Sequence, residues 1–167
     1  MLVAAINYAD ELIQLTNGLW FTEKYMYWNA DAYYQKIQIS EDSWNKHQFV
    51  SVADGNVIGF ISYTIDRAAD SVTNLSIANF TEDSVTFGRD VYRALSDIFL
   101  KFNFRKLSYS VVVGNPIEKQ YDKLTKKFHG RIVGTEKSHF KLIDNKFYDY
   151  KSYEIFRNDF LEAVNER

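Results

Sequence analysis

One stretch constrains this chain more than any other: residues Ser71 to Phe128 pass twice from β to α patterning. The first half reads SVTNLSIANF, then TEDSVTFG, then RDVYRALSDIFLKF; the second reads RKLSYSVVVG and then NPIEKQYDKLTKKF. Val91, Leu95, Ile98, Phe99 and Phe102 fall on the stripe of an amphipathic helix, and Ile117, Tyr121, Leu124 and Phe128 form a similar stripe. Between them, the β-branched run from Leu107 to Val113 predicts a strand buried on both faces. The result is a βαβα unit. The handedness of such crossovers makes its two strands parallel.

The rest of the chain supplies the partners this unit needs. Leu2 to Ile6 suits a strand, and Tyr8 to Leu15 a short helix capped by Asn7 and stopped by Asn17-Gly18. Aromatics crowd Leu19 to Trp28 (Trp20, Phe21, Tyr25, Tyr27, Trp28) and suit either a cleft lining or the cover of a sheet edge. Ala30 to Ile39 suits a second helix. Gln48 to Ala53 and Asn56 to Asp66 flank Asp54-Gly55, a strong hairpin signal. A turn over Arg67 to Asp70 leads into Ser71 to Phe80, giving three antiparallel strands in succession. After Phe128, Arg131 to Ile143 and Phe147 to Phe156 flank Asp144-Asn145 as a second hairpin, and Asn158 to Val164 suits a closing helix.

The expected fold is therefore α/β of the α+β kind, a single domain over residues 1–167. Its central sheet is mixed, mostly antiparallel and of about seven strands, flanked by helices and splayed between the fourth and fifth strands. Diverging strands leave main-chain polar groups facing a cleft, which makes that opening the candidate ligand site.

Composition excludes several function classes. A net charge of −2 offers no basic face for nucleic acid. No apolar run approaches the roughly 18 residues of a membrane span, and the opening MLVAAI lacks the basic start of a signal peptide, so no membrane is expected and the expected location is cytoplasmic. Cysteine is absent, which removes disulfides, thiolate metal ligands and any cysteine nucleophile. His47, His129 and His139 have no metal-ligand spacing and read as ordinary surface or hairpin histidines, so no metal is expected. The aromatics of the final hairpin (Phe147, Tyr148, Tyr150, Tyr153, Phe156) suit either a homodimer interface or the completion of the core.

The run Asn115-Pro116-x4-Tyr121-Asp122-Lys123-Leu124-x3-Phe128, together with the order of elements, resembles the GNAT superfamily of acetyl-CoA-dependent N-acetyltransferases. The branch it most resembles includes the ribosomal-protein N-terminal acetyltransferases. There a strand is followed by Asn-Pro, a helix bearing Tyr-Glu-Lys-Leu-Gly-Phe, and a two-stranded hairpin. Asn145 to Tyr150, with Tyr153 and Phe156, is similar to that branch's final hairpin. The likeness covers about Phe49 to Phe160; the first 45 or so residues match in element order alone.

The resemblance implies acetyl transfer from acetyl-CoA, a small-molecule acyl donor, to a primary amine: a protein or peptide N-terminus or a small amine. Which acceptor is unknown. With no cysteine to carry the acetyl group, it implies direct attack in a ternary complex. The family's pyrophosphate loop, Arg/Gln-x-x-Gly-x-Gly/Ala, aligns with Asp83-Ser84-Val85-Thr86-Phe87-Gly88, where the last glycine alone is kept. Amides at a helix start bind such an anion. Ser84, Val85, Thr86, Phe87 and Gly88 would do so here, with Arg89 supplying charge and Asp83 opposing it.

By the same likeness the strand end at Ile77 to Phe80 (Ala78, Asn79 and Phe80 above all) would hold the pantetheine and the carbonyl, and Asn115 would hydrogen-bond the pantetheine arm. Tyr121 would be the general acid for the departing thiolate. Asn115-Pro116 is also an ordinary helix start, and a tyrosine on the buried stripe is also ordinary core. No acid lies in Ser71 to Phe80, so the base is open among Glu23, Asp31, Asp66 and Glu136 acting through water. The degraded loop keeps a second reading in view: a non-catalytic binding or assembly module of the same shape.

Overall fold

The computed structural model describes residues 1–27, 37–81 and 85–166, with Trp20 through its backbone alone. Seven strands, β1 (Leu2–Ala4), β2 (Lys46–Ala53), β3 (Asn56–Asp66), β4 (Ser71–Asn79), β5 (Lys106–Val112), β6 (Arg131–Lys141) and β7 (Phe147–Phe156), form one sheet in the order β1-β2-β3-β4-β5-β7-β6. The helices are α1 (Ala9–Thr16), α2 (Val85–Leu100), α3 (Glu118–Lys127) and α4 (Arg157–Asn165). The mixed, mostly antiparallel sheet flanked by helices is the architecture expected from the sequence. The chain divides into two compact units, Met1–Gln14 with Ile39–Leu107 and Leu15–Gln38 with Ser108–Arg167.

In the first unit, β1 to β4 make an antiparallel run. Asp54 and Gly55 both take positive φ, +49° and +79°, the left-handed pair of a two-residue turn that matches strand twist. Strand β3 is almost continuously buried, and Val50, Phe60, Ile61, Tyr63 and Val72 build a core with Leu95, Ile98 and Phe99 of α2. Ser51 donates to Asp90 Oδ2 at 2.6 Å, a buried charge-assisted bond between β2 and α2. Asn103 at φ +58° follows the end of α2, so Phe102 lies past its last turn, against His47 at 4.9 Å between ring centres.

Strand β4 carries a bulge. Its register with β3 slips by one residue between Ser62 and Thr64, and Asn74 sits at φ +52°. A bulge of this kind bends its strand and re-aims the residues beyond it. The parallel register with β5 consists of Ser71↔Lys106 and Val72↔Leu107, directly before the bulge. The βαβ crossover is thus parallel, as its patterning requires.

The second unit holds most of β5 with α3, the β6–β7 hairpin and α4. Here β5 alternates rather than being buried on both faces: Leu107, Tyr109 and Val111 are buried while Lys106, Ser108 and Ser110 are half-buried. The Phe128 and Phe160 rings lie 4.6 Å apart, tilted by 33°, and both residues are buried. Strand β6 is exposed along nearly its whole length and has two register slips against β7, one at Ile132/Gly134 and one between Glu136 and Phe140.

One local expectation changes, and another lies mostly outside the described residues. Asn7 does not cap a helix; it lies inside a 3-10 turn, Ala5–Tyr8, that runs directly into α1. The helix expected over Ala30 to Ile39 falls outside the described residues up to Lys36, and Ile37 to Ile39 have no regular structure. Around the aromatic run, Leu19–Phe21 and Glu23–Tyr25 are short 3-10 turns.

Candidate active site

In the first unit, the expected cofactor residues lie at the end of β4 and the start of α2. Phe80 N–H donates to Ile58 O at 3.0 Å, which makes Phe80↔Ile58 a hydrogen-bonded pair. Antiparallel pairs alternate. With Ala78 opposite Phe60 and Asn79 opposite Gly59, Ala78 also turns its main-chain groups to β3, while Ile77 and Asn79 turn theirs to the other edge. The Asn79 side chain closes the strand, accepting from Thr81 N and Thr81 Oγ1 at 3.1 Å each. Of the expected residues, Asn79 therefore presents its backbone to that edge, joined by Ile77.

Ser84 lies outside the described residues, as does Asp83. Val85 is already helical, so Val85, Thr86, Phe87, Gly88 and Arg89 form the first turn and a half of α2 rather than a loop. The first four amides of a helix have no partner within it, and they carry the positive end of the dipole. No acidic residue stands in this first turn. Val85, Thr86, Gly88 and Arg89 are exposed, whereas Phe87 is buried.

The Phe87 ring fills the place of a side chain at Gly59 of β3. A Cβ built on Gly59 would lie 2.2, 2.4 and 2.7 Å from Phe87 Cε2, Cδ2 and Cζ. Gly59 is the register partner of Asn79. The first turn of α2 is therefore pinned to the strand position beside the end of β4. At Gly88, by contrast, a Cβ would meet nothing within 4 Å.

The second unit holds Asn115 and Tyr121. Asn115 Oδ1 accepts from Ile117 N at 3.1 Å, and Glu118 N donates to Asn115 O at 2.9 Å. Asn115 thus closes a tight turn before α3, whose N-cap position falls on Ile117. Its Nδ2 has no partner among the described residues.

Tyr121 is 5% exposed and surrounded by aromatic rings: Tyr109 edge-on at 5.0 Å and Tyr153 edge-on at 6.1 Å. Both neighbours are anchored. Tyr109 Oη bonds Thr125 Oγ1 at 2.6 Å, and Tyr153 donates to Asp122 Oδ1 at 2.9 Å. Lys151 bonds the same Asp122 oxygen at 2.7 Å and Glu118 Oε1 at 3.2 Å; Lys151 first, then Tyr153, hold the Asp122 carboxyl below its usual range. The Tyr121 phenol oxygen, by contrast, has no hydrogen-bond partner among the described residues. Burial, reinforced by the phenols of Tyr109, Tyr150 and Tyr153, pushes its pKa well above the ordinary tyrosine value. It therefore stays protonated at any working pH.

One pairing was not visible in the sequence. His139 Nδ1 lies 2.9 Å from Glu136 Oε2, and the His139 ring stacks on Tyr150 at 5.2 Å with 14° between planes. Residues three apart on a regular strand point to opposite faces. The bulge between Glu136 and Phe140, with Ser138 at φ +50°, turns His139 back beside Glu136. Among the described residues, no group of three or more His, Asp or Glu is placed to hold a metal ion. Among them, too, no helix is long and apolar enough to cross a membrane.

No protein-family model and no curated protein matches this sequence. Solved structures do. A chimera of the spermidine N-acetyltransferase SpeG from Vibrio cholerae with hSSAT superposes with a TM-score of 0.67 over 97% of this chain and 99% of that one, at 20% identity. A GCN5-related N-acetyltransferase from Brucella melitensis gives a TM-score of 0.69 over 98% of this chain and 78% of that one, at 14% identity. The fold is that of the GCN5-related N-acetyltransferases. At these identities the likeness speaks for the fold, and it does not single out the ribosomal-protein branch.

Proposed function

We propose that this chain is an N-acetyltransferase that moves an acetyl group from acetyl-CoA to a primary amine by direct attack, with Tyr121 as the general acid. The observation that carries the reading is the Tyr121 phenol: buried, kept protonated, and unlike its aromatic neighbours not engaged in a hydrogen bond among the described residues. The hydroxyl is not among the buried polar atoms left without a partner, so its oxygen still meets open surface, where a departing thiolate could reach its proton. The GCN5-related fold supports the same reading.

Acetyl-CoA, when bound, supplies the activated thioester. The chain's own residues meet its needs at several points. The first-turn amides of α2, from Val85 to Gly88, present the charge that a pyrophosphate requires, with Thr86 and Arg89 exposed beside them. The outward main-chain groups of Ile77 and Asn79 suit a pantetheine arm, which is itself a strand-like chain of amides. In the second unit, Asn115 keeps an Nδ2 donor with no partner among the described residues. Tyr121 holds the proton for the sulfur. Since no cysteine exists, no thioester to the protein forms on the way.

For the acceptor, two amines are the first to try. Neighbours of similar fold include a spermidine N-acetyltransferase, while the Asn115 to Phe128 motif resembles the enzymes that act on ribosomal-protein N-termini. The competing reading, a non-catalytic module, draws on the pyrophosphate motif, of which Gly88 alone remains.

The test is a thiol-release assay with acetyl-CoA and spermidine, free lysine, or a short peptide with a free α-amine. The protein has no thiol of its own to raise the background. Saturable, acceptor-dependent release is expected. No release with any of the three, together with no binding of coenzyme A, would leave the non-catalytic reading in possession.

A further inference from the structure

We propose that Lys151 of β7 is a positioning residue for acetyl transfer: one ammonium holds both the Asn115 turn and a ring packed edge-on against Tyr121. The role rests on the transferase reading above, in which Tyr121 is the general acid. Every group involved lies in the second unit.

Two carboxylates of α3 create the need for a cation. Glu118 and Asp122 stand four residues apart on one helix face, where like charges repel. Lys151 Nζ donates to both, to Asp122 Oδ1 at 2.7 Å and to Glu118 Oε1 at 3.2 Å. Its side chain is 15% exposed, and the bond to Asp122 above all raises its pKa, so it stays charged. Lys151 and Tyr153 are two residues apart on β7 and face the same side, toward α3.

From this ammonium one branch runs to Asn115. The second oxygen of Glu118, Oε2, accepts from Gly114 N at 3.0 Å. Gly114 takes φ +97°, and the turn continues through Asn115, whose Oδ1 accepts from Ile117 N at 3.1 Å. With Oδ1 engaged, the Asn115 amide is fixed in orientation and its Nδ2 remains a donor without a partner among the described residues. The likeness of this motif implies a hydrogen bond from Asn115 to the pantetheine arm of the acyl donor. By holding one oxygen of Glu118, Lys151 aims the other at the Gly114 amide.

The other branch runs to Tyr121. Tyr153 Oη donates to the same Asp122 Oδ1 at 2.9 Å, and Lys151 Nζ lies 5.3 Å from the centre of the Tyr153 ring. Tyr153 stacks on Tyr109 at 5.1 Å, and both rings meet Tyr121 edge-on. The Tyr121 hydroxyl makes no hydrogen bond among the described residues, so the rings around it decide where its proton is presented.

Stability alone does not explain the network. Asp122 is 44% exposed, and ion pairs open to solvent contribute little, while enclosing Lys151 costs it hydration. Geometry is worth more: a displacement of about 1 Å at a reacting group costs about 10²-fold in rate.

The experiment measures kcat, KM for acetyl-CoA, coenzyme A affinity and Tm, with spermidine or a peptide bearing a free α-amine as acceptor. Lys151→Met keeps the stem and removes the charge. It should raise KM about tenfold, the worth of one hydrogen bond, and lower kcat at least as much. Lys151→Arg, whose fork spans two carboxylates, should restore most of both. Glu118→Ala should act on KM and coenzyme A affinity, and Asp122→Ala on kcat, so the two branches separate. Should Lys151→Met fail to fold, that split decides alone. Wild-type kinetics in Lys151→Met overturn the positioning role and leave the transferase reading standing. So does a fall in Tm with kcat and KM moving alike in Glu118→Ala and Asp122→Ala. Absence of both transfer and coenzyme A binding in wild type overturns both.

Discussion

Placing a methyl group on Gly59 tests how the start of α2 is fixed. Gly59→Ala would put Cβ 2.2 to 2.7 Å from three carbons of the Phe87 ring, closer than carbon atoms approach in folded proteins. Phe87 is 5% exposed, so its ring has no open space to swing into and the first turn of α2 must shift with it. Overpacking of this kind costs about 2 kcal/mol, which for a chain this long lowers Tm by roughly 6 °C. Because the shifted turn carries the Val85 to Gly88 amides, coenzyme A should also bind more weakly, while turnover at saturation changes little. Phe87→Leu shortens the ring and should relieve the clash. The double variant should therefore be more stable than the sum of the two single effects by about 1 kcal/mol, read from urea unfolding. Additive effects, or a Gly59→Ala protein as stable as wild type, would refute the lock.

Three other substitutions probe the site and the core. Gly88→Ala should raise stability by about 0.5–1 kcal/mol, since its Cβ enters open space in a helix, yet weaken coenzyme A binding if the cofactor's phosphates need that approach; calorimetric titration beside thermal unfolding separates the two. Tyr121→Phe should lower kcat by about 10²-fold with Tm unchanged, because the phenol it removes has no hydrogen bond among the described residues; a fall in Tm with unaltered kcat would make Tyr121 core and nothing more. His47, half-buried and bonded to Tyr63 Oη at 2.9 Å, has its pKa lowered chiefly by burial, so the folded state resists protonating it. That contribution is fully present above the ordinary histidine value near 6.5 and fades as pH falls through the lower folded value, so acidifying below neutrality should destabilise wild type more than His47→Gln in chemical unfolding.

Much of the fold was legible because local rules and tertiary structure agree. Asp54-Gly55 took the left-handed turn its chemistry favours, and the βαβα stretch gave a parallel pair because its helix is long enough to carry the chain back to the start of the next strand. Asn115 and Tyr121 stood out through the spacing of their motif, and Tyr121 lies on the buried stripe its periodicity indicates.

The features hidden from sequence reasoning lie where one residue breaks the alternation of a strand. The slip at Ser138 brings Glu136 to His139, and no period-two pattern carries that information. Phe87 was hidden for a different reason. Placed in a Thr-Phe-Gly run beside a presumed loop, it looks like part of an anion cradle, and its partner Gly59 lies 28 residues earlier in a strand that pattern alone would fill with a larger side chain.

The most direct measurement is the melting temperature with and without acetyl-CoA. A ligand that grips the native state at one hundred times its dissociation constant adds about 2.7 kcal/mol, a rise of roughly 8 °C here. That rise, lost with inorganic phosphate alone in place of acetyl-CoA, is the predicted result. An unchanged Tm at millimolar acetyl-CoA would contradict the transferase reading at its root.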